Sequence, residues 1–468
     1  MTTKLSRPLA LGLAALLSGC GWLDSDYARP ELTLPGAYTQ APAQPRRVAD
    51  DWWREFGDAD LDRLVDRALA RNNDLTASVE AVRRARLQAG LAQGDLYPSV
   101  SASAEISRTR TLDSPHAIER KNTVSLGATW DPDPWNALGR TRDAASLEAE
   151  AAYADLNEAA RALAATTADL YWQLVYYRQR IALSAESIAY ARRTWELAQA
   201  RYAAGAVSSL DVLEAEQSLR SQEASDTEFR QSLVETENAL AILFDGPPAQ
   251  VDAPRRVLPV GEPPAVDPGL PVEVLERRAD LRAAEARLQA SLATADAMQA
   301  SYLPSFSLTG SLGSSSVSLT NVLTNPIGSL GAGLALPFLN WRQMERNVAV
   351  SESDYRAAVA NFRQTLYAAL ADVENALSAR RQLSQRHDLL QRSVETARAV
   401  EALYETRYRA GAADLQSWLD AQEKRRTAEA SLLANQLDRL TAQVNLYRAL
   451  GGGATLPQAR VDAADDLL

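Results

Sequence analysis

Few residues of this chain have the types and spacing that catalysis requires. The two histidines, His116 and His387, stand too far apart in the sequence for metal-ligand spacing, and no Ser-His-Asp elbow or phosphate loop is present. Asp131 and Asp133 could form an acid pair, but each is followed by a proline, which favours a rigid turn. We therefore expect no enzyme activity, no cofactor and no metal.

Cys20 is the only cysteine and the one residue that points to covalent chemistry. It follows an apolar run, Leu9–Leu17, that comes after two basic residues and is too short to span a membrane. The sequence Leu-Ser-Gly-Cys resembles the lipobox at which bacterial lipoproteins are cleaved and acylated. This predicts a signal peptide over 1-19 and a lipid, such as palmitate, on Cys20; the alternative is a buried thiol. Gly21 favours sorting to the outer membrane.

The charge balance excludes one class of partner. The chain has 60 acidic and 49 basic residues, for a formal net charge of −11. Nucleic acid requires a concentrated basic footprint, whereas these arginines are scattered among acids at helical spacing. We expect no nucleic-acid binding.

The residues that punctuate the chain recur at one fixed offset, which indicates an internal duplication. Each of the following pairs is 206 residues apart: Asp74 and Asp280, Pro98 and Pro304, Gly205 and Gly411, Gly246 and Gly452. The first repeat covers 61-260 and the second covers 268-453. Before them, 20-60 is predicted to be a lipid-anchored extended segment. Within the first repeat, Asp74 is predicted to cap the helix that runs from Asp74 to Leu96. Residues 454-468 form a C-terminal tail.

Each repeat contains two stretches in which apolar residues alternate with Ser, Thr, Gly or charged residues, as in a strand with two different faces. These predicted strands cover 99-111, 122-130, 305-314 and 328-336. Their lengths suit a tilted crossing of a bilayer, yet four strands cannot close a barrel. The strands must then be pooled from two or more copies of the chain. The alternative is an ordinary soluble sheet.

A long helical hairpin follows each strand pair, at 139-245 and at 342-450. Apolar residues fall at successive sevens on the first of these helices, which indicates a coiled coil. Gly205 and Gly411 mark the turns of the two hairpins. A helix of this length must project from the sheet rather than pack inside a compact domain.

The arrangement resembles the outer membrane efflux protein family, the channels of the TolC and OprM type, and specifically its lipid-anchored branch. The stretches that carry the resemblance are the lipobox, Trp130–Trp135, Asp372–Leu377, Tyr408–Gly411 and Leu419–Ala421. The resemblance implies a mixed α and β membrane protein. In it a homotrimer builds a twelve-stranded transmembrane barrel that continues as a periplasmic coiled-coil barrel of helices. It also implies an outer-membrane location, a periplasmic adaptor and an inner-membrane efflux pump as partners, and a role in multidrug resistance.

The resemblance further implies a gate at the periplasmic tip. Asp420 matches the family's inner aspartate, and Tyr408 matches the tyrosine before the turn glycine; three copies of Asp420 would form a ring on the axis. In the first repeat Tyr202, Asp211 and Glu214 occupy the analogous stretch.

Two positions near Asp420 depart from the family. Ser417 stands where some members carry a second aspartate, and Glu423 where the OprM-type channels carry an arginine. Alternatives also remain for the gate residues themselves. Asp211 and Asp420 could be helix-start charges, and Tyr202 and Tyr408 could be packing aromatics.

The function expected is therefore an outer-membrane channel of a tripartite efflux system that passes drugs or other toxic compounds to the cell exterior. Two alternatives remain at this point. One is the outer-membrane duct of a type I protein secretion system. The other is a lipid-anchored periplasmic coiled-coil tether that conducts nothing.

Overall fold

The computed structural model describes residues 25–39, 49–110, 112, 118–266, 268–269, 271–317 and 326–465. The signal peptide and Cys20 lie outside the described residues, so lipidation stays a prediction.

The helices are α1 (Ala59–Arg71), α2 (Asn73–Gly94), α3 (Ala137–Ala203), α4 (Ser209–Leu243), α5 (Val274–Arg277), α6 (Ala279–Ala300), α7 (Trp341–Arg409), α8 (Leu415–Ala449) and α9 (Gln458–Asp465). Short 3-10 helices lie at Trp52–Phe56, Pro271–Glu273 and Pro337–Asn340.

Several equivalent elements of the two halves begin and end 206 residues apart. Helix α2 and helix α6 are related in this way (73 + 206 = 279, 94 + 206 = 300), as are α4 and α8 (209 + 206 = 415, 243 + 206 = 449). Helices α3 and α7 have 67 and 69 residues, which corresponds to about 100 Å each. In the described part of the chain, no helix is both long and apolar enough to span a bilayer.

Four antiparallel strands form one sheet in the order β1-β2-β3-β4. The strands are β1 (Ser99–Arg110), β2 (Ile118–Trp130), β3 (Ser305–Ser316) and β4 (Pro326–Ala335). Strand β2 thus begins four residues before the predicted 122-130, and β4 begins two residues before the predicted 328-336. The first four residues of β2 do not alternate between apolar and polar side chains, so the sequence analysis placed the start of this strand too late.

The register gives the sheet one apolar face. Val100 pairs with Ala128, which lies opposite Gly310, and Gly310 pairs with Leu330. Val100 and Leu330 are strongly exposed, at 71% and 95%. The opposite face carries serine pairs, including Ser103 with Ser125, whose hydroxyls are 2.8 Å apart.

The hydrophobic core lies where the long helices pack together beneath the sheet. Helix α3 packs against α2, α4, α6 and α8, and α7 packs against α6 and α8. Trp52 and Trp53 are fully buried in this core, and Trp52 stacks on Tyr447 of α8 with ring centres 5.1 Å apart. The prediction of an extended segment through residue 60 is therefore wrong beyond Asp51. A tryptophan pair in one helical turn has no periodicity that would reveal its burial.

Residues 25–39 form an extended strap on the outside of α6 and α7. Ser25 donates its N–H and O–H to the buried Asp296 at 3.3 and 2.8 Å, and Arg29 pairs with Glu285 at 2.7 Å. Thr39 donates its N–H to Glu374 of α7 at 2.7 Å. The strap thus runs from the end of α6 nearest the sheet towards the middle of α7.

Helix starts differ from the sequence-based expectation at two places. The side chain of Asn72, not Asp74, caps α2 by accepting the N–H of Leu75 at 2.9 Å. Asp133 accepts the N–H groups of Ala137 and Gly139 at 2.7 and 2.8 Å, so it fixes the start of α3. The tail after residue 453 contains helix α9, which packs against α2.

Candidate functional site

The candidate site is the pair of turns at the far end of the two hairpins from the sheet. Gly205 and Gly411 adopt φ angles of 70° and 72°, a left-handed conformation that glycine reaches without strain. The N–H of Ala206 bonds the carbonyl of Arg201 at 2.8 Å, and the N–H of Ala412 bonds that of Arg407 at the same distance. The two turns therefore share one geometry.

Aspartates stabilise the returning helices in both hairpins, but by different contacts. In the first, the carboxylate of Asp211 accepts the N–H and the O–H of Ser208 at 3.0 and 2.7 Å. In the second, Asp414 accepts the N–H of Ser417 at 2.6 Å, which holds the pKa of Asp414 below its usual value. Asp211 is thus a capping residue, as the helix-start alternative proposed. The sequence analysis missed Asp414, although an aspartate three residues after a turn glycine is a cap signal.

Tyr408 lies at the centre of a small aromatic cluster between the hairpins. It is 2% exposed and stacks on Trp418 of α8, with ring centres 5.1 Å apart. Arg201 of α3 donates an N–H to the carbonyl oxygen of Tyr408 at 2.7 Å and places its guanidinium carbon 4.5 Å from the ring centre. Burial raises the pKa of the Tyr408 hydroxyl. Neither Arg201 nor Trp418 was singled out by the sequence.

Tyr202, the counterpart of Tyr408 in the first hairpin, is placed differently. It is 52% exposed and does not belong to the cluster. The two tyrosines therefore occupy unlike environments, although they precede their turn glycines by the same number of residues.

Asp420 is exposed on the second turn of α8 and accepts a hydrogen bond from Gln416 Nε2 at 2.8 Å. Asp420 lies beyond the first turn of that helix, where the effect of the helix dipole is small, so the helix-start alternative describes it poorly. Its counterpart Glu214 is half-buried on α4. Glu423 pairs with Arg426 within α8.

Two further contacts join the first hairpin to the second. Tyr190 of α3 donates its hydroxyl to Glu405 of α7 at 3.1 Å. Gln422 of α8, which is fully buried, donates to the Thr194 hydroxyl at 3.3 Å. Together with the bond from Arg201 to Tyr408, these contacts fasten one hairpin to the other near the turns.

A charged groove lies beside Tyr190, away from the turns. Arg425 of α8 lies 2.5 Å from Glu401 of α7 and 2.9 Å from Glu429, and Arg398 pairs with Glu429 at 2.8 Å. The adjoining cavity has a volume of about 530 Å³. Among the residues that the structure describes, no three acidic, histidine or cysteine side chains are grouped to hold a metal ion.

Long helical hairpins below a sheet with one apolar face are the architecture of outer-membrane export channels, and the comparisons with known proteins identify the family. The chain belongs to the outer membrane efflux protein family, whose model matches residues 64–244 and 270–452. This confirms the resemblance to that family seen in the sequence. The chain is a transport component of the outer membrane that extends into the periplasm.

Individual relatives cover nearly the whole chain. It is 28% identical to "Toxin and drug export protein A" of Aggregatibacter actinomycetemcomitans, over 97% of this chain and 99% of that protein. It is 30% identical to the outer membrane protein OprJ of Pseudomonas aeruginosa, over 95% of each chain. Among solved structures, the outer-membrane channel OprN matches with a TM-score of 0.83 at 26% identity, over 92% of this chain and 98% of that one.

Proposed function

We propose that three copies of the chain form a continuous export duct. Their sheets join into one transmembrane barrel of twelve strands (3 × 4), and their helices continue it as a tunnel through the periplasm. The observation that carries the proposal is the four-stranded sheet with two open edges. Among the described residues, strands β1 and β4 each pair with a neighbouring strand on one side only.

Open edges are incompatible with a bilayer, because each unpaired N–H and carbonyl group in hydrocarbon costs several kcal/mol. The apolar face of this sheet nevertheless exposes Leu312 at 65% and Leu330 at 95%, which suits lipid and not water. Both demands are met when β1 of one copy pairs with β4 of the next. In such a closed barrel the apolar face is turned towards lipid, so the serine-rich face lines the lumen.

The helices also leave apolar side chains for neighbouring copies. On α7, Val350, Leu389 and Leu403 are exposed at 59%, 66% and 64%, and on α4 Leu213 and Val234 are exposed at 61% and 49%. Apolar side chains spread along helices of about 100 Å (α7) and about 50 Å (α4) suit a long coiled-coil interface better than water. The matched element bounds further support an origin of the two halves by duplication.

The partners and cargo follow from the family. We assign to the duct a periplasmic adaptor and an inner-membrane pump, and as cargo drugs or other toxic compounds. The name of the Aggregatibacter relative gives toxin and drug export as the role of that protein. A lipid on Cys20 would anchor the N terminus, since the strap brings Ser25 to the end of α6 next to the membrane-facing sheet. Residues 1-19 are then the signal peptide that is removed.

The gate is assigned to the turns. Asp420, which is exposed, provides the ring that narrows the tip, and the contacts of Tyr408 and Tyr190 hold the hairpins closed. Asp211 and the two turn glycines shape the hairpins. Tyr202 and Glu214, near the first turn, are assigned to the outer side of the same tip.

Two measurements on the detergent-purified protein test the duct. Native mass spectrometry should give three times the mature chain mass, and insertion into a planar bilayer should give discrete current steps. A chain that stays monomeric and conducts nothing would support the alternative of a coiled-coil tether. A trimer without current would contradict the continuous duct but not the assembly.

A further inference from the structure

The β1–β2 hairpin carries three arginines near its tip, on the apolar face of the sheet. We propose that Arg108, Arg110 and Arg120 bind the phosphate groups of an anionic lipid in the outer leaflet of the membrane. The inference rests on the proposed function, because it requires that the apolar face of the sheet contact lipid.

The register places these arginines. Arg108 lies directly opposite Arg120, two residues beyond the pair of Ile106 with Asn122. Because side chains alternate along a strand, Arg108, Arg110 and Arg120 project on the same side as Ile106. All three arginines are exposed, and Ile106 is 74% exposed.

The acids of the hairpin project on the other face. Glu119 pairs with Thr109, and Glu105 pairs with Thr123, so both glutamates stand on the serine-rich side of the sheet. Within the described residues, none of the three arginines forms an ion pair. Residues 111-117 include one acid, Asp113, which lies outside the described residues; its single charge balances at most one of the three arginines.

An arginine opposite an arginine needs an external anion. Directly opposed residues of an antiparallel pair have Cβ atoms about 5 Å apart, and two side chains of like charge in such positions destabilise the pair. A phosphate between Arg108 and Arg120 would convert this repulsion into two charge-assisted contacts. The guanidinium group suits this role, since its planar array of donors matches two phosphate oxygens at once.

The height of the arginines fits the headgroup region. Arg108 is eight residues from Val100, or about 27 Å along the strand, which becomes about 20 Å along the membrane normal at a tilt of about 40°. That is close to the height of the apolar band of such barrels, about 25 Å. The helices leave the sheet at its opposite end and extend into the periplasm. The end of the hairpin that carries the three arginines therefore lies at the outer leaflet.

The second hairpin does not repeat the feature. The positions equivalent to Arg108 and Arg110 are Ser314 and Ser316 (108 + 206 = 314, 110 + 206 = 316). The site therefore occurs once per chain.

The experiment compares two lipids on the full-length, detergent-purified protein. Bisphosphorylated lipid A, and the same glycolipid with both phosphates removed, are each titrated against the protein, and bound lipid is counted by native mass spectrometry. We compare Arg120→Gln with Lys121→Gln. Each variant removes one positive charge, but Lys121 pairs with Ser107 and stands on the other face.

The unchanged protein should retain the phosphorylated lipid more tightly, and Arg120→Gln should weaken that retention about fivefold. Lys121→Gln should leave it unchanged. Equal retention of the two lipids, or an equal effect of the two variants, would overturn the phosphate site. If instead the protein fails to insert into neutral phosphatidylcholine vesicles, the membrane placement of the sheet is wrong, and with it the proposed function.

Discussion

The side chain of Arg201 makes two contacts with Tyr408. One guanidinium N–H donates to the carbonyl oxygen of Tyr408 at 2.7 Å, while the guanidinium carbon lies 4.5 Å from the centre of its ring. The two residues are 207 positions apart in the chain and belong to different hairpins. The pair therefore links the two hairpins directly at the tip.

Replacing Arg201 by alanine should loosen this link. A hydrogen bond from a charged group contributes about 1.5–3 kcal/mol, and a cation over an aromatic ring about 0.5–1 kcal/mol more. We expect Arg201→Ala to increase single-channel conductance and the frequency of opening. The exposed Arg407 supplies the control, because Arg407→Ala removes the same charge one helical turn from the tip. Equal currents in the two variants would show that the contact does not restrain the hairpins.

Asp420→Ala should also raise conductance, for a different reason. A ring of carboxylates on the axis holds cations and slows their passage, so its removal should both increase the current and reduce the preference for cations. Glu423→Ala is the matched variant, since Glu423 is also exposed on α8 but pairs with Arg426. If Asp420→Ala leaves current and ion preference as they were, the constriction lies elsewhere.

Asp414 should make the second hairpin sensitive to acid. Its pKa is lowered from 3.8 because its carboxylate accepts the N–H of Ser417. A group whose pKa is lowered by folding stabilises the folded state above its unfolded pKa, and this stabilisation disappears as pH falls through the folded value. In Asp414→Ala the first-turn amides of α8 should exchange hydrogen faster at neutral pH, and thermal stability should depend less on pH below about 5.

The control for this cap is Asp420→Ala, which removes one carboxylate from the same helix without removing its cap. If both variants exchange first-turn amides equally fast, the hydrogen bond to Ser417 contributes nothing measurable to the start of α8.

Asp169 should have the opposite effect on how the stability of the protein depends on pH. Burial between α3 and α8 raises its pKa from 3.8 to about 6, although a hydrogen bond with Thr441 partly opposes the shift. A raised pKa means that the charged form destabilises the folded state, so the unfolding free energy should increase as pH falls from about 7 towards 4. Asp169→Asn should therefore be more stable at pH 7, by about 1–2 kcal/mol.

The pH dependence separates this effect from a simple change of polarity. Thermal unfolding of Asp169→Asn should vary less between pH 4 and 7 than that of the unchanged protein, whereas Asp388→Asn, at an exposed position of α7, should follow the unchanged protein. A variant that is less stable at every pH would mean that the carboxylate is needed in its charged form.

Local pattern was enough to predict the strands and long helices. Alternation in β1 and β3, proline at their starts, and glycine at the two turns are signals carried by neighbouring residues, so each could be read without knowing the fold. Asp414 belongs with them, because a cap acts within one helical turn; it was overlooked rather than hidden. The family resemblance rests on the same local stretches.

Contacts between distant residues required the tertiary structure. Arg201 could not be assigned to Tyr408 from sequence, because the chain carries many arginines at helical spacing and only the folded arrangement, which brings the end of α3 to the end of α7, selects one of them. The packing and pairing of elements also decide that Trp52 and Trp53 are buried and that Arg108 lies opposite Arg120. Sequence pattern determines which face of an element is apolar, whereas the relative position of two elements determines which residues meet.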